Sequence, residues 1–172
     1  MRLPYSPDPP TPASPADAAV VERIRARRAP RPLQPLDLAL LHSPAVADGW
    51  NAFLGAVRTR TAVPADLREL AVCRVAVVNR AWYEWGHHAP LAAAAGVSPA
   101  GLARVRDPAP LRLADDAGRE ELGERGWAVL VYADEMTRDV EVRDDTFAAL
   151  RALFDEKEVV EITATVSELG LS

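Results

Sequence analysis

Prolines divide this chain into short segments, and their distribution constrains the fold more than any other feature of the sequence. Ten of the 15 prolines lie within the first 44 residues, and six of those lie within the first 15. Proline fixes φ and lacks the N–H that a helix interior or a central strand requires. We therefore predict an extended proline-rich arm over residues 1–15 and one folded domain over residues 16–172.

Serine followed by proline occurs at three points where an apolar periodic segment begins, and each predicts a helix start. Serine is a favoured N-cap, and proline suits the first helical position. Apolar residues then recur at spacings of three and four, whereas the alternation and tight-turn signals of strands are nearly absent. The sequence thus predicts a single all-α domain. The three starts are Ser14-Pro15, Ser43-Pro44 and Ser98-Pro99.

Two consecutive segments predict buried helices. The run LRELAVCRVAVV, residues 67–78, is apolar on most faces and too long for one strand, which favours a central buried helix. A second helix is expected over residues 81–95, because Gly96 is a good residue to end it. Residues 107–118 are predicted to form a loop, and the next helix is expected from Glu120 to about Met136.

Composition excludes several functional classes. The chain is 49% hydrophobic and 26% charged, as in globular proteins, and its net charge of −5 argues against nucleic acid as a partner. No apolar run approaches the roughly 20 residues that span a bilayer, so no membrane partner is predicted. The single cysteine, Cys73, allows no internal disulfide, CxxC pair or cysteine zinc cluster. A cytoplasmic location is the expectation.

Polar residues interrupt the two apolar helices and are the candidates for chemistry. Glu84 and His88 are four residues apart on one predicted helix face, as are Tyr83 and His87. A carboxylate beside an imidazole fixes its tautomer, and Glu69 from the preceding helix would complete an acid–base cluster. The same pattern would also arise from a buried Glu–His hydrogen bond that only orders the helix pair.

Metal and cofactor sites are not predicted. Glu84 and His87 have the Glu-x-x-His spacing of di-iron helix bundles, but this motif occurs once, whereas such bundles use it twice. HExxH, GxSxG, P-loop and GxGxxG motifs are all absent from the sequence.

Three motifs carry a resemblance to a known family. They are Leu67-Arg-Glu-Leu-Ala-Val-Cys-Arg-Val-Ala, Tyr83-Glu-Trp-Gly-His-His88 and Ala95-Gly-Val-Ser-Pro99. Together they resemble the carboxymuconolactone decarboxylase family, which also holds the AhpD-type alkylhydroperoxidases, over about residues 36–165. The resemblance implies an all-helical AhpD-like fold, homo-oligomers (trimers or hexamers) and a small-molecule substrate.

The two branches of that family differ in their site residues. AhpD-type members use a CxxC dithiol, and aligning their glutamate and histidine with Glu69 and His88 places Ala81 and Glu84 at the two cysteine positions. The decarboxylase branch has a glutamate four residues before its histidine, which Glu84 and His88 match. The resemblance thus implies cofactor-free decarboxylation of a carboxylated lactone or organic acid, with His88, Glu84 and Glu69 as catalytic residues.

Further residues near these motifs are candidates for substrate binding. Two alternatives to the decarboxylase remain open: an alkylhydroperoxidase, and a non-catalytic oligomer of the same fold. The binding candidates are Tyr83, Trp85, His87, Arg68 and Arg74.

Overall fold

The computed structural model describes residues 3–170, which contain nine α-helices and no β-strand, and this confirms the predicted all-α fold. None of these helices is both long enough and apolar enough to cross a membrane. The internal contacts group the residues into two compact units, Met1–Arg60 and Thr61–Ser172. The helices are α1 (Pro15–Arg28), α2 (Pro35–Leu40), α3 (Pro44–Thr59), α4 (Ala65–Val78), α5 (Trp82–Ala94), α6 (Pro99–Arg106), α7 (Asp116–Arg138), α8 (Asp144–Leu153) and α9 (Glu156–Gly170).

The three Ser-Pro starts each precede a helix whose first residue is the proline. The Ser14 hydroxyl accepts a hydrogen bond from the Asp17 N–H at 3.1 Å, and the Ser98 hydroxyl accepts one from the Gly101 N–H at 3.0 Å. The Ser43 side chain makes no such capping bond. Serine caps therefore satisfy orphan N–H groups at α1 and α6, as predicted.

In the first unit, α1 and α2 each pack against α3, and the proline-rich arm is bonded to the α2 region. The Ser6 N–H donates to the Leu38 carbonyl at 3.2 Å, and Nε2 of His42 lies 2.6 Å from the Pro4 carbonyl oxygen. These two contacts fasten residues 4–6 of the arm to the α2 region. The division at residue 15 stays a prediction.

The second unit is built around α4, which contacts α5, α6, α7 and α9. Every residue from Glu69 to Val77 is buried, so the prediction of a central buried helix is confirmed. Helix α9 also fixes the segment that leads into α4, since the Glu161 carboxylate accepts from the Ala62 and Val63 N–H groups at 2.7 and 3.2 Å.

Helix α7 begins earlier than predicted and is interrupted. Asp115 caps its start by accepting from the Gly118 N–H at 3.4 Å, so the last residues of the predicted 107–118 loop are helical. A Cβ on Gly118 would lie 2.5 Å from the Trp127 ring, so only glycine allows this close approach. Gly123 has φ 71°, a left-handed conformation that breaks the helix.

Candidate active site

A tight reversal between α4 and α5 brings their polar residues together. Arg80 adopts the left-handed conformation with φ 56°, and the Ala81 N–H donates to the Ala76 carbonyl at 2.8 Å, which closes the end of α4. Only three residues, 79–81, separate the two helices, and α5 packs directly on α4. Glu69 and His88, on opposite sides of this turn, therefore face each other.

Glu69, Glu84 and His88 form one cluster, hereafter the Glu–His cluster. Nδ1 of His88 lies 2.7 Å from Oε2 of Glu69, a charge-assisted hydrogen-bond distance. Nε2 of His88 lies 3.6 Å from Oε2 of Glu84. His88 and Glu69 are only 6% and 7% exposed to solvent, whereas Glu84 is partly exposed. The cluster is therefore buried at Glu69 and accessible beside Glu84.

The Glu69 contact sets the protonation pattern of the His88 ring. An ionised carboxylate only accepts hydrogen bonds, so Nδ1 carries a proton and donates it to Glu69. At 3.6 Å, Nε2 lies beyond hydrogen-bond distance of Glu84, and it has no other hydrogen-bond partner in the described part of the chain. Nε2 is consequently the ring atom available to exchange a proton with a bound molecule.

The structure reverses the expected order of the two carboxylates. The i, i+4 spacing on one helix favours Glu84 as the direct partner of His88, yet the hydrogen bond is made by Glu69, 19 residues away on α4. The spacing rule places two side chains on one face but does not set the rotamers that decide contact. The isolated position of Glu69 in an apolar run is the signal that it needs a buried partner.

Among the binding candidates, Arg68 lies nearest to the cluster. Its Nε is 3.7 Å from Oε1 of Glu69, and its side chain is 19% exposed. Tyr83 and His87 instead pack on each other at the surface of α5, with ring centroids 4.3 Å apart. Trp85 packs against the core of the second unit, and the Arg106 guanidinium lies 5.9 Å from its ring centroid. Only Arg68 is thus shown in contact with the Glu–His cluster.

Arg74 is fully buried, and its guanidinium is committed to structural contacts. Nε and a terminal nitrogen lie 2.8 and 2.7 Å from Oδ1 of Asp134 on α7. The terminal nitrogens also donate to the carbonyls of Val105, Asp107 and Ala109, which fastens the chain after α6. The guanidinium nitrogens are all engaged in these bonds, which conflicts with the expected role of Arg74 in substrate binding. The sequence signal for this contact is Asp134, an acidic residue in the apolar part of α7, because a buried arginine needs a buried carboxylate partner.

Cys73 lies on α4, four residues after Glu69, and has no exposed surface. Burial raises the pKa of its thiol to about 12, and the negative charge of Glu69 adds to this shift. The thiol therefore stays protonated at neutral pH, as expected of a small core residue.

The side chains of Glu84 and His87, the Glu-x-x-His pair, do not approach a common position. Glu84 approaches His88, whereas Nδ1 of the exposed His87 lies 2.9 Å from the Tyr83 carbonyl oxygen. Within residues 3–170, no three His, Cys, Asp or Glu side chains are grouped so that they could hold a metal ion.

Comparison with known proteins supports the predicted family resemblance. The carboxymuconolactone decarboxylase family model matches residues 44–114, a range that contains α4, α5 and the whole Glu–His cluster. Among solved structures, the fold resembles a variant of the debrominase Bmp8 in complex with 2,3,4-tribromopyrrole, with a TM-score of 0.67 and 17% identity over 94% of this chain and 83% of that chain. This similarity supports the AhpD-like fold. No curated protein matches the chain in sequence. The match over residues 44–114 thus supports the resemblance to the carboxymuconolactone decarboxylase family.

Proposed function

We propose that this protein is an enzyme that decarboxylates a small carboxylated lactone or organic acid without a cofactor. The observation that carries the proposal is the buried His88 ring, whose Nδ1 bonds to Glu69 while Nε2 has no hydrogen-bond partner and lies 3.6 Å from Glu84. An imidazole fixed on one side and unbonded on the other suits proton transfer at the unbonded nitrogen.

The reaction needs one proton delivered to carbon. When the C–C bond to the substrate carboxylate breaks, its electron pair stays on the substrate and forms an enolate, while carbon dioxide leaves. In the proposed step, Nε2–H of the His88 imidazolium donates its proton to the former carboxyl-bearing carbon. Glu84, on the solvent side, then passes a proton from water to Nε2 for the next turnover.

Burial strengthens the electrostatic part of this mechanism. Charges interact more strongly where water is excluded, so the Glu69 carboxylate stabilises the imidazolium needed at the start of each cycle. Arg68 is the candidate for holding the substrate carboxylate, because its guanidinium lies beside Glu69 and has no hydrogen bond of its own among the described contacts.

Assembly into homo-oligomers is part of the proposal. Tyr83, His87 and Leu91 recur every four residues and form an exposed stripe on α5, with Tyr83 57% and Leu91 46% exposed. A second copy covering this stripe, in a trimer or hexamer, would bury it one helical turn from Glu84. In that arrangement Tyr83, His87 and Trp85 would contribute to substrate binding at the subunit contact.

The structural relative supports only the size of the substrate. Its bound ligand is a single halogenated ring, and we extend to this chain the class of small cyclic molecules, not dehalogenation.

The decisive experiment measures carbon dioxide release from carboxymuconolactone and related carboxylated lactones. His88→Gln is expected to lower kcat at least about a hundredfold, the size of a general acid–base contribution. His42→Gln, which removes a histidine from the first unit, is the matched control and should retain the wild-type rate. Equal rates for His88→Gln and wild type would contradict the proposal, and inactivity of the wild type on every carboxylated lactone would favour the non-catalytic alternative.

The alkylhydroperoxidase alternative is disfavoured by the state of Cys73. A peroxidatic thiol must ionise and meet the peroxide, and Cys73 is buried with a raised pKa. Peroxide consumption that disappears in Cys73→Ser would restore this alternative.

A further inference from the structure

A cavity of about 350 Å³ lies in the second unit beside the turn between α4 and α5. Arg80 and Trp82 from the turn, Arg106 from the end of α6 and Arg138 from the end of α7 line it. Val77, Val78 and Pro108 form its apolar wall. The volume is within the range of sites for small molecules.

The lining carries three positive charges and no acidic residue. Arg138 is partly neutralised, because its Nε lies 2.8 Å from Asp134, which also holds Arg74. The exposed Arg80 and Arg106 have no carboxylate partner among the described residues, and the nearby Asp107 carboxylate accepts from the Ala109 N–H at 2.9 Å. Arg80 and Arg106 therefore line the cavity without an ion-pair partner among the described residues.

Arg80 occupies a backbone position where glycine would be the cheaper choice. Its φ of 56° lies in the left-handed region, which costs conformational energy for a residue with a Cβ. The position ends α4 as a helix C′ residue, a place where glycine is strongly favoured. The residue at this position is nevertheless an arginine, which places a cationic side chain at the cavity.

We propose that this cavity binds a small aromatic carboxylate. Arg80 and Arg106 would hold the carboxylate, since the planar guanidinium matches its two oxygens, and the ring would lie against Trp82 and the apolar wall. None of the residues that line this cavity belongs to the Glu–His cluster. The proposal stands apart from the proposed decarboxylation.

Calorimetric titration of the full chain tests the site, with benzoate as the probe. Saturable 1:1 binding of benzoate is expected, with benzyl alcohol and inorganic phosphate binding at least about tenfold more weakly, because each lacks either the carboxylate or the ring. Arg106→Gln should weaken benzoate binding about tenfold or more. Arg112→Gln removes the same charge from an exposed residue outside the cavity lining and should leave the affinity unchanged.

Arg80→Gly separates binding from folding. Glycine adopts the left-handed conformation without strain, so this variant is expected to lose benzoate affinity while its thermal unfolding midpoint stays at or above that of the wild type. The proposal is overturned if benzoate does not saturate, if benzyl alcohol or phosphate binds as tightly, or if Arg106→Gln and Arg80→Gly keep the wild-type affinity.

Discussion

Nδ1 of His88 and Oε2 of Glu69 lie 2.7 Å apart in the buried contact between α4 and α5. This bond fixes which nitrogen of the ring carries the proton and leaves the other nitrogen for chemistry. Glu69, which lies outside the Tyr83–His88 motif, therefore controls the protonation pattern of His88, the proposed acid–base group.

Replacing Glu69 with glutamine tests that control. Glutamine keeps the size of the side chain, but it removes the charge and can donate its amide proton to Nδ1, which would move the ring proton to Nε2. We expect kcat to fall about a hundredfold with a smaller change in KM. Nitrogen NMR of the His88 ring should report the changed tautomer. A variant with the wild-type tautomer and rate would contradict the assigned role.

The buried pair of Arg74 and Asp134 predicts an unequal response to single and double substitutions. Arg74→Met leaves the Asp134 carboxylate in the core with one fewer partner, and we expect it to lower the free energy of unfolding by about 3–5 kcal/mol. The double variant Arg74→Met, Asp134→Leu removes both charges and should be less destabilised than the sum of the two single variants. Urea unfolding measures all four proteins, and strict additivity would show that the two charges are not coupled.

The raised pKa of the Cys73 thiol predicts that the folded protein loses stability at alkaline pH. Its pKa rises from an ordinary value of 9.0 to about 12 in the folded protein, so the unfolded chain releases this proton first. The associated stability is fully present below pH 9 and is lost as the pH rises toward 12, by up to about 1.4 kcal/mol per pH unit.

Unfolding free energies of wild type and Cys73→Ala at pH 8 and pH 10.5 isolate this contribution, because the other titrating groups are common to both proteins. The wild type should lose more stability than Cys73→Ala over that interval. Equal losses would show that the thiol titrates normally.

Val140 is predicted to be a weak point of the turn between α7 and α8. It is a β-branched residue with φ 60° and a side chain that is 88% exposed, so the strained backbone gains little from packing. Val140→Gly should raise the free energy of unfolding by about 1 kcal/mol.

The matched control is Val160→Gly, at a position 67% exposed within α9. Glycine weakens a helix interior, so this variant should be destabilised by several tenths of a kcal/mol up to about 1 kcal/mol. Thermal or urea unfolding compares the pair, and a loss of stability in Val140→Gly would contradict the strain argument.

The positions of several helices could be predicted from the sequence because they depend on local chemistry. The Ser-Pro starts at residues 14, 43 and 98, the breaks at clustered prolines and the apolar run of α4 depend on neighbours within a few residues. Helix α7 starts before Glu120 because Asp115 caps it by accepting from the Gly118 N–H. The close approach of Gly118 to Trp127, nine positions along the chain, is a packing contact that residue spacing does not predict.

Residue type and short spacing were enough to predict the all-α class, the resemblance to the carboxymuconolactone decarboxylase family and the members of the Glu–His cluster. Helix packing, by contrast, is what brings Glu69 rather than Glu84 into hydrogen-bond contact with His88 and pairs Arg74 with Asp134. It also places three arginines around one cavity. These relationships join side chains from different helices. Their distances depend on helix packing and rotamers, which spacing along the chain does not specify.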